Sequence, residues 1–295
     1  MRMRKKKNLL PRMEACGAWL VHDPFAQRGR WRELMPEAKE IRLELGCGKG
    51  RFTAGTAAVE PDVLLIAVEK VPDAMVVAME RCRDEDLRNV FFIDADAALL
   101  PDMFEPGEID RIYINFCDPW PKSNQAKRRL THHNFLKLYR KVLKDGGEIH
   151  FKTDNDKLFE WSVEEIPQYG WELRDVTRDL HANGPVGVMT DYEKKFHELG
   201  KNINRCVAVM QPWEPAAAGG LRIPADGRLS GQKAGYFDES RRAGDHGGAV
   251  RGVLAADPTV GCLSGRAADL SFENGGVYGS RVGLYCAARA ASRRG

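Results

Sequence analysis

Ile41-Arg42-Leu43-Glu44-Leu45-Gly46-Cys47-Gly48-Lys49-Gly50 is the stretch that decides the fold. Ile41, Leu43 and Leu45 alternate with the period of a strand. The run then breaks into glycines at Gly46, Gly48 and Gly50, and a helical stretch, 51–58, follows. Strand, glycine turn and helix form a layout that holds a nucleotide-like ligand at a helix N-terminus. Glycine lets the backbone turn tightly and the ligand approach with no Cβ between. Such a motif alone is also common in ordinary turns. A second apolar run, 64–68, ends in Glu69. A carboxylate at the tip of strand two is suited to accept both hydroxyls of a ribose.

Working outward, the chain has 295 residues, enough for one large domain or a domain with an appendage. Its net charge of +3 does not mark it globally as a nucleic-acid binder, so the distribution of charge matters more. No apolar run approaches a membrane span, and no apolar signal segment follows the basic N-terminus. Seven scattered cysteines with no Cys-x-x-Cys pair read as reduced thiols in a cytosol, with no zinc site. The expectation is a cytoplasmic protein, monomer or homodimer, without a metal. His132-His133 reads as a helix start, not a ligand set.

Residues 1–39 read as a basic arm (Met-Arg-Met-Arg-Lys-Lys-Lys) and a lead-in whose Trp19, Phe25 and Trp31 pack on the core. The arm is a solvated tail when free and fits phosphate when bound. Within 40–213, strands and helices alternate. Further strands are expected at 90–93, 111–116 and 148–152, with helices near 72–83, 131–143 and 156–166. Asp145-Gly146-Gly147 reads as a helix C-cap. Candidate strands at 171–177 and 204–210 flank a glycine-containing loop and a helix at 191–199. The pattern predicts an α/β fold, a doubly wound, mostly parallel seven-stranded sheet with an antiparallel strand near one edge. From 214 to 295, glycine rises to roughly one residue in five against an average near 7%. That segment reads as a disordered or weakly ordered extension, with a small extra domain as the alternative.

In an open parallel sheet the site lies beyond the carboxyl ends of the strands. Glu44, Glu69, Asp96 and Asp118 fall at or just past the ends of strands one to four. Each alone is an ordinary cap or turn residue; four on one rim point to a ligand. Asn115-Phe116-Cys117-Asp118-Pro119-Trp120-Pro121-Lys122 adds a stiff loop that fixes Asp118 at the rim. Lys127-Arg128-Arg129 follows, a phosphate contact or a solvated helix start.

Glu44-Leu45-Gly46-Cys47-Gly48-Lys49-Gly50 resembles motif I of the S-adenosylmethionine-dependent methyltransferases. Asp118-Pro-Trp-Pro-Lys122, Lys127-Arg128-Arg129-Leu130, Phe151-Lys152-Thr153-Asp154-Asn155 and Met189-Thr190-Asp191-Tyr192-Glu193-Lys194-Lys195-Phe196, in this order, resemble the bacterial tRNA (guanine-N7)-methyltransferase family. The resemblance covers about residues 8–213 and fails beyond. It implies a class I methyltransferase with a Rossmann-like sheet, S-adenosylmethionine as cofactor and tRNA as substrate, methylated at guanine 46 of the variable loop. It places Glu44, Gly46, Gly48, Gly50, Glu69, Asp96 and Asp118 at the cofactor, with Asp118 also catalytic. It places Lys122, Asp154, Thr190, Asp191, Tyr192 and Glu193 at the substrate. Lys127, Arg128 and Arg129 are assigned to the tRNA backbone. Two departures stand out: Ser123-Asn124-Gln125 replaces a basic run, and Asp191 replaces a glutamate. The rivals are a small-molecule methyltransferase, which has no use for Lys127–Arg129, and a non-catalytic RNA-binding protein, which needs no intact glycine rim.

Overall fold

The computed structural model of the protein describes residues 5–212. The expected extension, 214–295, lies outside the described residues. Seven strands form one sheet: β1 (Glu40–Leu45), β2 (Val63–Val68), β3 (Val90–Ile93), β4 (Ile109–Asn115), β5 (Leu143–Thr153), β6 (Trp171–Thr177) and β7 (Asn204–Met210). Their spatial order is β3-β2-β1-β4-β5-β7-β6. β1 to β5 pair in parallel, while β7 runs antiparallel to both β5 and β6, so the sheet is mixed. Every residue of β2 is buried, as a central strand covered on both faces requires.

Seven α-helices accompany the sheet: α1 (Leu9–Glu14), α2 (Arg51–Val59), α3 (Pro72–Asp84), α4 (Leu100–Met103), α5 (His133–Val142), α6 (Asp156–Glu165) and α7 (Asp191–Glu198). Pro72 opens α3 in its first turn, where its missing N–H has no intrahelical partner to lose. Asn155 caps α6 by accepting Leu158 N–H. None is long and apolar enough to cross a membrane.

The lead-in packs on the core through its two tryptophans. Trp31 is fully buried, stacks on Phe104 and donates to Met103 O. Trp19 donates to Leu87 O. Phe25, the third expected anchor, is exposed.

One local expectation is corrected. α5 stops at Val142, and Leu143 already pairs with Ile109. The register then jumps, so that Arg111 faces Glu148. Asp145-Gly146-Gly147 therefore forms a bulge within β5, not a helix C-cap. The buried side chain of Leu143 holds the start of the strand in the sheet, and Gly146 turns the backbone there with φ 72°.

Candidate active site

The carboxyl ends of β1, β2 and β4 meet at the topological switch between β1 and β4, where an open sheet leaves a crevice. Gly46 and Gly48 have φ of 79° and 57°, and a Cβ on either would meet nothing within 4 Å. The turn therefore presents bare backbone to open space. Gly50 serves a different need. A Cβ there would come within 2.4 Å of Ala78 Cβ, so this glycine lets α2 pack against α3.

Glu69 spans the turn and the start of α3. Its Oε2 accepts Gly48 N–H at 3.0 Å and its Oε1 accepts Val71 N–H at 2.9 Å. Burial raises its pKa, opposed by these backbone hydrogen bonds. The Lys70 backbone also donates to this carboxylate, and an ionised carboxylate has about four acceptor sites, so acceptor capacity is left for a ligand hydroxyl.

Glu44 is not at the surface of the rim. It is 1% exposed, inside β1, with Oε2 accepting from Thr53 Oγ1 at 2.6 Å and Oε1 from Asn115 Nδ2 at 3.2 Å. Burial pushes its pKa up to about 7, against both hydrogen bonds. The strand period turns Glu44 into the layer beneath α2, where Thr53 meets it. Asn115 Oδ1 is buried with no hydrogen-bond partner among the described residues. An orphan acceptor beside Glu44, with a bare glycine turn at the end of the neighbouring strand, fits a ligand bearing an ammonium and a ribose, such as S-adenosylmethionine. Asp96 is half-buried at the third strand end, where its Oδ1 accepts Ala98 N–H and caps a short 3-10 turn.

Asp118 is exposed and makes no hydrogen bond or ion pair among the described residues. Its loop is tightly fixed nonetheless. Phe116 and Trp120 hold φ of 53° and 41°, a left-handed backbone rarely adopted by aromatic residues. Phe116 N–H bonds Lys152 O, and Arg129 donates to the carbonyls of Pro119 and Trp120. Of the three expected phosphate cations, Arg129 is thus turned inward, buried, with its guanidinium over the Trp161 ring. Lys127 and Arg128 are exposed, Arg128 lying over Trp120.

The substrate set divides similarly. Lys122 is exposed. Asp154 pairs with Lys201 at 2.7 Å, and Asp191 lies 3.8 Å from Arg81. Thr190 and Glu193 form a capping box at the start of α7. Glu193 is fully buried and braces the start of the helix. Tyr192, one residue earlier, is 52% exposed and faces Phe116, ring centroids 6.4 Å apart at 21°.

Sequence reasoning passed over Thr53, Asn115, Phe116, Lys152 and His181. Lys152, between Phe151 and Thr153 near the carboxyl end of a central strand, was a readable sign of a buried charge with a partner. The others carry no comparable signal.

Strand order, the reversed seventh strand, the bare glycine turn and its acidic partner define a class I, Rossmann-like methyltransferase. Residues 38–206 match the family described as "Putative methyltransferase". The tRNA (guanine-N(7)-)-methyltransferase of Geobacillus thermodenitrificans is 44% identical over 213 residues, 72% of this chain and 99% of that protein. That of Lactococcus lactis subsp. cremoris is 41% identical over 215 residues, again 72% of this chain and 99% of that protein. The crystal structure of the 16S rRNA methyltransferase KamB superposes with a TM-score of 0.50 at 16% identity, covering 62% of this chain and 94% of that one, a likeness of fold. The chain belongs to the tRNA (guanine-N(7)-)-methyltransferase family.

Proposed function

We propose that this protein transfers a methyl group from S-adenosylmethionine to N7 of guanine in tRNA, at position 46 of the variable loop. The exposed, unpartnered Asp118 carboxylate on a strained loop beside Tyr192 carries the reading, together with the family. S-adenosylmethionine supplies an electrophilic methyl on its sulfonium. Guanine N7 has an in-plane lone pair and no proton, so the protein needs no strong base. Its task is to hold donor and acceptor in line and exclude water.

On this reading Gly46, Gly48 and Glu69 hold the nucleoside part of the cofactor, with Asp96 at the adenine. Asn115 Oδ1 and the Glu44 behind it face the methionine ammonium. Asp118 acts at the base in one of two ways. It stabilises the positive charge that develops on the imidazole ring, or it accepts from guanine N1–H and N2–H, which adenine does not offer as a pair. Tyr192 takes the face of a base drawn from its stack. Arg128 already covers Trp120, which makes that ring the poorer platform. Lys122, Lys127 and Arg128 hold phosphates, positioning the RNA without reading it. A tRNA substrate is consistent with an enzyme of the cytoplasm.

Incubation with methyl-labelled S-adenosylmethionine and unmodified tRNA, followed by nucleoside analysis, tests this. Label in 7-methylguanosine is expected, and it should vanish when guanine 46 is replaced. Label in another nucleoside, or none, overturns the reading.

A further inference from the structure

Lys152 touches both sides of one ring contact. Its carbonyl oxygen accepts Phe116 N–H at 2.9 Å, where β4 gives way to the Asp118 loop. The residue is 7% exposed, and its ammonium donates to Glu193 Oε2 at 2.7 Å and to Val188 O at 3.4 Å. Glu193 is otherwise fully engaged. Oε2 also accepts Thr190 N–H, and Oε1 accepts from His181 Nε2 at 3.1 Å. His181 Nδ1 accepts Val186 N–H, so that nitrogen bears no proton and Nε2 is the donor. The network ties the loop at 178–190 and the first turn of α7 to the middle of the sheet. Tyr192 of that turn and Phe196 of the next stack on Phe116.

We propose that Lys152 is a positioning residue for the target base: its carbonyl sets Phe116, and its ammonium, through Glu193, sets Tyr192 against it. The assignment rests on the tRNA reading above. A buried ion pair adds little net stability over an apolar pair, but its directed hydrogen bonds fix geometry. Here the fixed geometry is the place of the half-exposed Tyr192 ring against Phe116, where the Asp118 loop begins.

Lys152→Met removes the ammonium and keeps the strand carbonyl. Lys152→Met with Glu193→Gln also removes the stranded carboxylate, in case the single variant does not fold. With 3-fluorotyrosine incorporated, the fluorine resonance of Tyr192, identified by Tyr192→Phe, reports its place against Phe116 whether or not methylation occurs. The resonance should move in either variant toward its position in Phe116→Leu. In single-turnover methylation of tRNA the double variant should lose ~10-fold or more, from misalignment, with cofactor affinity by calorimetry unchanged. In a Tyr192→Ala background, adding the double variant should cost little more, because both changes remove the same feature. An unmoved resonance, or losses that multiply across the two backgrounds, overturns the proposal. Failure of the wild type to make 7-methylguanosine overturns the functional reading instead and leaves the fluorine result to stand alone.

Discussion

Arg129 donates from Nη2 to the carbonyl oxygen of Trp120 at 3.0 Å, closing the Asp118 loop from below. Its Nε reaches Pro119 O at 3.1 Å, and the guanidinium plane rests on Trp161. A residue that reads in sequence as part of a basic run is thus the brace of the proposed catalytic loop.

Arg129→Ala should therefore act on the fold. Loss of charge-assisted hydrogen bonds to part-buried carbonyls is worth about 1–3 kcal/mol. Thermal or denaturant unfolding should show that loss, and turnover should fall with it. A variant of wild-type stability with only weaker tRNA binding would return Arg129 to the phosphate set.

Lys127 and Arg128, both exposed, should behave differently. Changing the two to Ala should leave stability and S-adenosylmethionine binding nearly intact. The slope of log affinity for tRNA against log salt should shrink by about 1–2, since fewer counterions are released. An unchanged slope in a salt titration would make them a solvated face.

Asp118→Ala should lower single-turnover methylation at saturating tRNA by on the order of 100-fold, the size seen when one transition-state contact is lost. tRNA affinity should change little, since one carboxylate meets one base. A wild-type rate at saturation would leave methyl transfer to alignment by the rest of the rim.

Glu69→Ala should weaken S-adenosylmethionine binding by about 1–3 kcal/mol, read by calorimetry. Part of that loss comes from the glycine turn itself, because Gly48 N–H and Val71 N–H lose their acceptor. Unchanged affinity would remove Glu69 from the ribose.

Glu44 should leave a mark on the pH dependence of stability. Its carboxyl is raised from 4.5 to about 7 by burial. The folded state therefore holds a proton that the unfolded chain has released, and stability falls as pH rises through that window. Below 4.5 both states are protonated and the effect is absent; above about 7 it is complete, at most roughly 3 kcal/mol. Glu44→Gln, whose amide suits Thr53 and Asn115, should gain on the wild type between those pH values in parallel melting series and hold a constant lead above them. His150, lowered to about 4 by burial, titrates in the opposite sense in both proteins and drops out of the difference. A difference in melting temperature that does not vary with pH would show that Glu44 titrates alike in the folded and unfolded states.

Much was legible in the chain itself. Alternating apolar residues at Ile41, Leu43 and Leu45 and the fully apolar run of β2 specify strands locally, because side-chain period and burial are properties of consecutive residues. The same holds for Pro72 and Asn155 at helix starts, and for glycines that need positive φ. The motif order from Asp118 to Phe196 identified the family for the same reason: it is written along the sequence.

What tertiary structure alone decided is which charges face the solvent. Glu44, a rim acid in sequence, and Glu193, a substrate position by resemblance, are both buried, each held by donors from other elements. Arg129 and Arg128 are neighbours with opposite fates, one under the loop and one upon it. Glu44, Glu193 and Arg129 are buried and hydrogen-bonded within the protein, and Lys152, unassigned in sequence, joins two strand ends to a helix. Desolvating a charge is so costly that its position depends on whether partners arrive from elsewhere in the chain. Only the folded sheet, by bringing β4, β5 and α7 together, determines that.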